Sequence, residues 1–176
     1  MERGAGRRAE KRSPYDVFWA APESAAVWDQ LPVPVLEAIV RSDEKRLAVE
    51  RSRVSPELRE KITTPVYSVA DRFASWERLV RRMEPGWPGG DFYPVSVYGN
   101  DLDSRDVLDE VMRALPEEAQ AGALGRLLER LDARFRAASV PDASRSLRPW
   151  VRPTKEVPDV ELAEWWRRRP AREPWV

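Results

Sequence analysis

The clearest periodicity runs from Val69 to Met83, where Phe73, Trp76, Leu79, Val80 and Met83 recur at helical spacing and predict an amphipathic helix. Glu84-Pro85-Gly86-Trp87-Pro88-Gly89-Gly90 carries the glycines and prolines of a turn, so the helix stops there. Residues 92–98 then alternate apolar and polar side chains, which predicts a short extended segment. Pro94 assigns it to an edge or to a place against helices, because proline cannot donate to a central ladder. Asp103 reads as the next N-cap, with Asp106 at N3 and Leu102 and Val107 as a hydrophobic staple. Val107, Leu108, Val111, Met112 and Leu115 mark the buried face that follows. Pro116 ends this helix and starts another, with Glu117 and Glu118 at its positive end. In that second helix Leu124, Leu128, Leu131, Phe135 and Ala138 follow four-three-four-three spacing, widened by Leu127, so residues 103–138 read as an antiparallel helical hairpin. Gly122 and Gly125 cost the early turns about 1 kcal/mol each, so either the helix starts later or another backbone packs closely there.

Upstream, Tyr15 to Phe73 contains a faint repeat. An offset of 22 residues sets PVLEAIVRSDEKRLAVER, from Pro34, against PELREKITTPVYSVADRF, from Pro56. Leu36 then falls on Leu58, Val40 on Ile62, Leu47 on Val69 and Ala48 on Ala70, and each unit reads as a proline-started short helix, a break and a second short helix. The run DEKRLAVERSRVSPELREKI, within residues 33–73, resembles leucine-rich-repeat-variant and HEAT-like helical arrays, in which short helices stack from a Pro-Glu-Leu start. The resemblance implies a scaffold that binds proteins through a stacked surface; a helical hairpin pair with coincidental spacing is the equal alternative, since solenoids need three or more repeats.

After Val140-Pro141 the chain changes character. Prolines 149, 153 and 158 interrupt any long element, leaving one short helix over roughly Asp159 to Arg168. Trp150, Trp165, Trp166 and Trp175 are half of the chain's eight tryptophans, and an apolar load of that size is expected to wrap over the helical body. Residues 1–14, with five cations, two acids and no apolar period, read as a disordered basic tail. The expected architecture is therefore mainly α: a compact domain of helical hairpins over 15–140, the extended segment near 92–98, and a Pro/Trp-rich segment over 141–176 packed on the core.

Composition narrows the chemistry. The 176 residues include no histidine and no cysteine, which excludes His- or Cys-based nucleophilic sites, redox disulfides and the usual zinc sites. Lys+Arg and Asp+Glu both number 30, so no net field draws the chain to nucleic acid or an anionic membrane. No apolar stretch approaches a membrane span or a signal h-region, and a cytoplasmic address is the expectation. The abundance of Arg, Ala, Pro and Trp suggests a GC-rich bacterial genome of the actinobacterial type.

Three clusters remain as candidates. Asp101, Asp103, Asp106, Asp109 and Glu110 could hold a hard cation or work as acids and bases, but the EF-hand pattern fails because Asp106 stands where glycine is required. These acids read instead as a cap and a solvated face, with Asp106, Asp109 and Glu110 on one side of the helix for a basic partner surface. Arg126, Arg130 and Arg134 form a ridge at i, i+4, i+8, set among ten acids and six arginines over 101–142, and read as a mixed-charge outer face. Trp165-Trp166-Arg167 combines stacking surface with cations, as protein hot spots do. No glycine-rich phosphate loop is present: the glycines at 86–90 lack its spacing and its Lys-Ser/Thr.

The sequence thus points to a non-catalytic protein-binding protein, similar in type to immunity or antitoxin-like partners and accessory adaptors. It would contact its partner through Trp165, Trp166, Arg167, Asp106, Asp109 and Glu110, with no metal, cofactor or small-molecule substrate. Two alternatives are a nucleic-acid-associated regulator using the basic N-terminal arm and the Trp/Arg tail, and a carboxylate enzyme in which the acids at 101–110 converge with Tyr98 or Arg105.

Overall fold

Ser68 and Asp71 begin the element around which the rest assembles. The Ser68 hydroxyl accepts the Asp71 N–H at 3.1 Å and the Asp71 carboxylate accepts the Ser68 N–H at 3.0 Å, a capping box that opens a helix at Val69–Met83. The chain is seen here as a computed structural model that describes residues 19, 21–87, 90, 92–150 and 165–175. Within these residues the order is α1 (Pro22–Asp29), α2 (Val33–Ser52), α3 (Pro56–Arg59), α4 (Val69–Met83), α5 (Val95–Ala114), α6 (Glu117–Ala121), α7 (Ala123–Ala137), β1 (Ser139–Pro141) and β2 (Arg168–Pro170). The fold is mainly α, with one two-stranded sheet among the described residues.

Helix α4 ends at the turn the glycines and prolines announce. Gly86 N–H bonds Met83 C=O and Trp87 N–H bonds Arg82 C=O, a Schellman-type ending in which both Gly86 and Trp87 take positive φ. A tryptophan tolerates that backbone because its ring is buried and packs 4.9 Å from Tyr93.

The extended segment expected at 92–98 is not there: the chain is extended only to Pro94, whose carbonyl accepts the first bonds of α5 from Val97 and Tyr98. Asp103 is accordingly no N-cap, and Leu102 and Val107 no staple; both lie well inside α5. The buried face is Tyr98, Leu102, Arg105, Leu108, Val111 and Met112, a helical period whose early members carry it straight through Gly99-Asn100-Asp101.

The expected pairing of α5 with α7 in one hairpin is also corrected. α4 is the principal neighbour of α5 and also packs on α7, while α1 lies against α7. The core accordingly centres on α4, with Trp76 4.6 Å from Phe135 of α7 and Phe73 5.6 Å from Trp28 of α1, among Leu79, Leu102, Leu108, Leu124 and Leu131. The second helix of the expected hairpin is split at Gly122. A Cβ on Gly125 would lie 1.8 Å from the Gln120 carbonyl oxygen, so the close backbone approach that glycine permits is what lets α6 turn into α7.

The two segments related by the 22-residue offset differ in conformation. Residues 33–52 form one unbroken helix, without the expected break, whereas 56–73 is a four-residue helix, a loop and the start of α4. Their aligned apolar positions differ in burial as well: Val69 and Ala70 are buried, while Ala48 is exposed.

At the C-terminal end β2 pairs antiparallel with β1, Ser139 opposite Pro170, and Ala171 N–H bonds Ala138 C=O. Arg168 opens this strand and Trp165-Trp166 form a turn, in place of the end of the expected helix over 159–168; residues 159–164 of it, like the N-terminal tail 1–14, lie outside the described residues.

Candidate functional site

The acids of α5 and the Trp/Arg run, expected as separate contact regions, meet each other. Trp166 Nε1 donates to Asp106 Oδ1 at 2.6 Å and Arg167 Nη2 donates to Asp106 Oδ2 at 2.9 Å, so one carboxylate holds two residues some sixty positions downstream. Trp166 is buried, and Trp165 stands perpendicular to it at 5.6 Å with its face 3.8 Å from the Arg136 guanidinium. Beneath both rings lies Arg105, 4.5 Å from Trp166 and 5.7 Å from Trp165. Its guanidinium is locked by Asp132 of α7, which also accepts from Trp76. A stacked Arg-Trp arrangement over a buried ion pair is a strong packing unit.

Asp109 makes an ion pair with Arg113 one turn on and lies 3.8 Å from Arg105. Glu110 belongs to a different surface, a groove between α5 and α2 that Arg41 and Lys45 also line. Asp101 turns from the others and accepts a hydrogen bond from Tyr93. Burial pushes its carboxyl up to about 6, against the opposing pull of Tyr93, Arg78 and Arg82. Tyr98 donates to the Arg168 carbonyl, and burial raises its phenol well above its ordinary value. The acids at 101–110 therefore do not converge with Tyr98 or Arg105 on one pocket, and no group of three or more carboxylates among the described residues is placed to hold a metal ion.

The arginine ridge of α7 divides too. Arg134 grips Glu84 with two nitrogens, Arg126 donates to the Ala121 carbonyl, and Arg130 lines a cleft of about 250 Å³ with Ser24, Glu77 and Arg81. The floor of that cleft is the buried Glu77 carboxylate, which accepts the Ser24 hydroxyl.

A surface outside the expected residues has a different character. From Val40 through Ser68 no residue is buried, although the stretch is ordered as the C-terminal half of α2, α3 and the loop that follows. It is tied together by polar bonds: Val66 N–H to Glu50 at 2.9 Å, Arg59 Nε to the Arg51 carbonyl at 3.0 Å, and Val69 N–H to Asp43 at 2.9 Å. On this arm Val49, Leu58, Val66 and Tyr67 are exposed, from 43% for Val49 to 65% for Val66. Between α2 and residues 63–68 runs a groove of about 240 Å³, with Val40, Leu47 and Pro65 for apolar lining and Asp43, Glu44 and Asp71 for charge. Its signal in the sequence is the apolar content of 47–67, which periodicity alone assigns to a core.

Compared with protein-family models, curated proteins and solved structures, the chain matches none. No helix among the described residues is long and apolar enough to cross a membrane.

Proposed function

We propose that this protein acts without catalysis, by binding another protein, in the manner of an immunity protein or accessory adaptor, and that the arm Val40–Ser68 is its contact surface. The observation that carries this reading is the arm's mismatch between order and burial. A helical segment is held in its geometry chiefly by tertiary packing of an apolar face, yet in this one no side chain is fully buried, while Val49, Leu58, Val66 and Tyr67 are shown to solvent. Exposed apolar side chains set among charges are what protein interfaces present. Tyr67 is the natural anchor, a half-exposed ring with the Arg72 guanidinium 4.8 Å from its centroid.

This moves the contact surface away from the Trp165, Trp166, Arg167 and Asp106 set, whose rings and charges are occupied by one another. Arg136 lies over a face of Trp165 and Arg105 over a face of Trp166, which counts against a nucleic-acid reading that stacks bases on these two rings. A photo-crosslinking residue at position 58 or 67 tests the proposal: a discrete crosslinked protein should form from either site in a native extract and none from position 140, which lies on β1. Equal products from all three positions would contradict it.

A further inference from the structure

We propose that α5, β1 and the backbone at Tyr93 form a binding site for an extended peptide carrying adjacent tryptophan and arginine side chains, and that residues 166–174 of this chain are its ligand in cis. Their contacts have the form of strand addition, in which main-chain bonds supply affinity and side-chain acceptors supply specificity. β2 pairs with β1, Arg168 opposite Pro141 and Arg169 opposite Val140, and is the one strand paired with it among the described residues. Main-chain bonds continue past the ladder, from Ala171 N–H to the Ala138 carbonyl at 3.0 Å and from Tyr93 N–H to the Pro174 carbonyl at 3.3 Å. Three successive arginines each meet a different acceptor. Arg167 donates to Asp106, Arg168 donates to the Ser139 hydroxyl and carbonyl oxygens at 2.9 and 3.0 Å, and Arg169 lies 3.6 Å from Asp142. Burial is confined to two points: of residues 165–175 only Trp166 and Pro170 are buried, the Trp166 ring being held by its bond to Asp106. One buried ring within a rim of polar and charged bonds is the arrangement of a docked ligand, whereas a core strand buries every second side chain. In sequence, residues 151–164 join this segment to Trp150, and none of the contacts just named involves them. A cut within 151–164 therefore turns an intramolecular association into a bimolecular one without removing any of these partners.

The test starts from the folded full chain with a protease site inserted between residues 157 and 158. After cleavage, a fluorescent synthetic peptide of residues 158–176 is added, its exchange into the cut protein is followed by anisotropy, and circular dichroism follows the helices. The peptide should bind saturably, the unlabelled natural peptide should compete with it, and the helices should still melt cooperatively once the cleaved segment has been washed away. Variants made in the competing peptide leave the rest of the protein unaltered. Trp166→Ala should weaken competition by about a hundredfold or more, Arg167→Ala by only a few-fold, and a scrambled peptide of the same composition should not compete. Failure of the peptide to exchange at any concentration, equal competition by the scrambled peptide, or loss of the helices when the segment leaves would overturn the proposal and make residues 165–175 an inseparable part of the core.

Discussion

Arg105 of α5 and Asp132 of α7 form a two-point ion pair in the interior, with the guanidinium Nε and Nη2 at 3.0 and 2.8 Å from the two carboxylate oxygens. Trp76 of α4 donates to the same carboxylate at 3.0 Å, so a single acid joins the three central helices. Because Arg105 is only 5% exposed, removing its partner leaves a buried charge uncompensated. Asp132→Ala should cost about 3–5 kcal/mol, whereas Arg105→Met with Asp132→Leu should recover the part due to the uncompensated charge, leaving about 1–3 kcal/mol for the Trp76 N–H that still lacks its acceptor. Denaturant unfolding of the two variants checks this; equal destabilisation would show that the charges are needed for more than mutual compensation.

The same logic, one layer out, applies to the clasp at Asp106. Trp166→Ala removes a buried ring and should cost about 3–5 kcal/mol. Trp166→Phe keeps most of the packing and loses the bond to Asp106, so it should cost about 1–3 kcal/mol. Arg167→Ala, at a partly exposed pair, should cost under about 1 kcal/mol. Thermal or denaturant melts that failed to rank these three in that order would place the ring outside the core.

Asp101 sets a pH dependence of its own. Burial raises its carboxyl from the ordinary 3.8 to about 6, so the folded chain binds a proton more tightly there than the unfolded chain does. The stability this confers is fully present below about pH 4 and is lost as the pH rises through about 6, a contribution on the order of 2–3 kcal/mol. Asp101→Asn retains an oxygen for the Tyr93 hydroxyl and ends the titration. It should therefore be more stable than the wild type at pH 7.5 by about 1–3 kcal/mol, with little difference at pH 4. Stability curves measured across that range decide the matter, and a variant less stable at both pH values would contradict it.

How far the sequence alone carries the fold depends on whether the decisive contacts are local. Helix α4 is legible to the residue because its apolar period and the Gly/Pro turn that stops it lie within one stretch. The start of α5 is not, because Asp103 looks like a cap, while the Tyr98-Leu102-Arg105-Leu108 face includes a charged residue whose carboxylate partner, Asp132, lies on another helix. The acids near 106 and the Trp/Arg run are each visible as composition. Their mutual pairing is not, since it spans sixty positions and no local pattern encodes it. The arm shows the limit of periodicity in another way: Leu47, Val49, Leu58 and Ile62 look like core residues, and hydrophobic spacing does not say whether a face is covered by its own chain or by another.

The central claim is that the clasp serves the fold and the arm serves the partner, and one paired measurement separates them. Purified wild type, Trp166→Ala and the double variant Leu58→Glu/Tyr67→Glu are each melted and then used, well below their melting points, to capture a crosslink-identified partner. The account predicts opposite patterns: Trp166→Ala melts earlier yet retains the partner, and Leu58→Glu/Tyr67→Glu melts with the wild type yet loses it. Loss of the partner in Trp166→Ala, with full retention in the double variant, would return the contact surface to the Trp/Arg clasp and contradict the account.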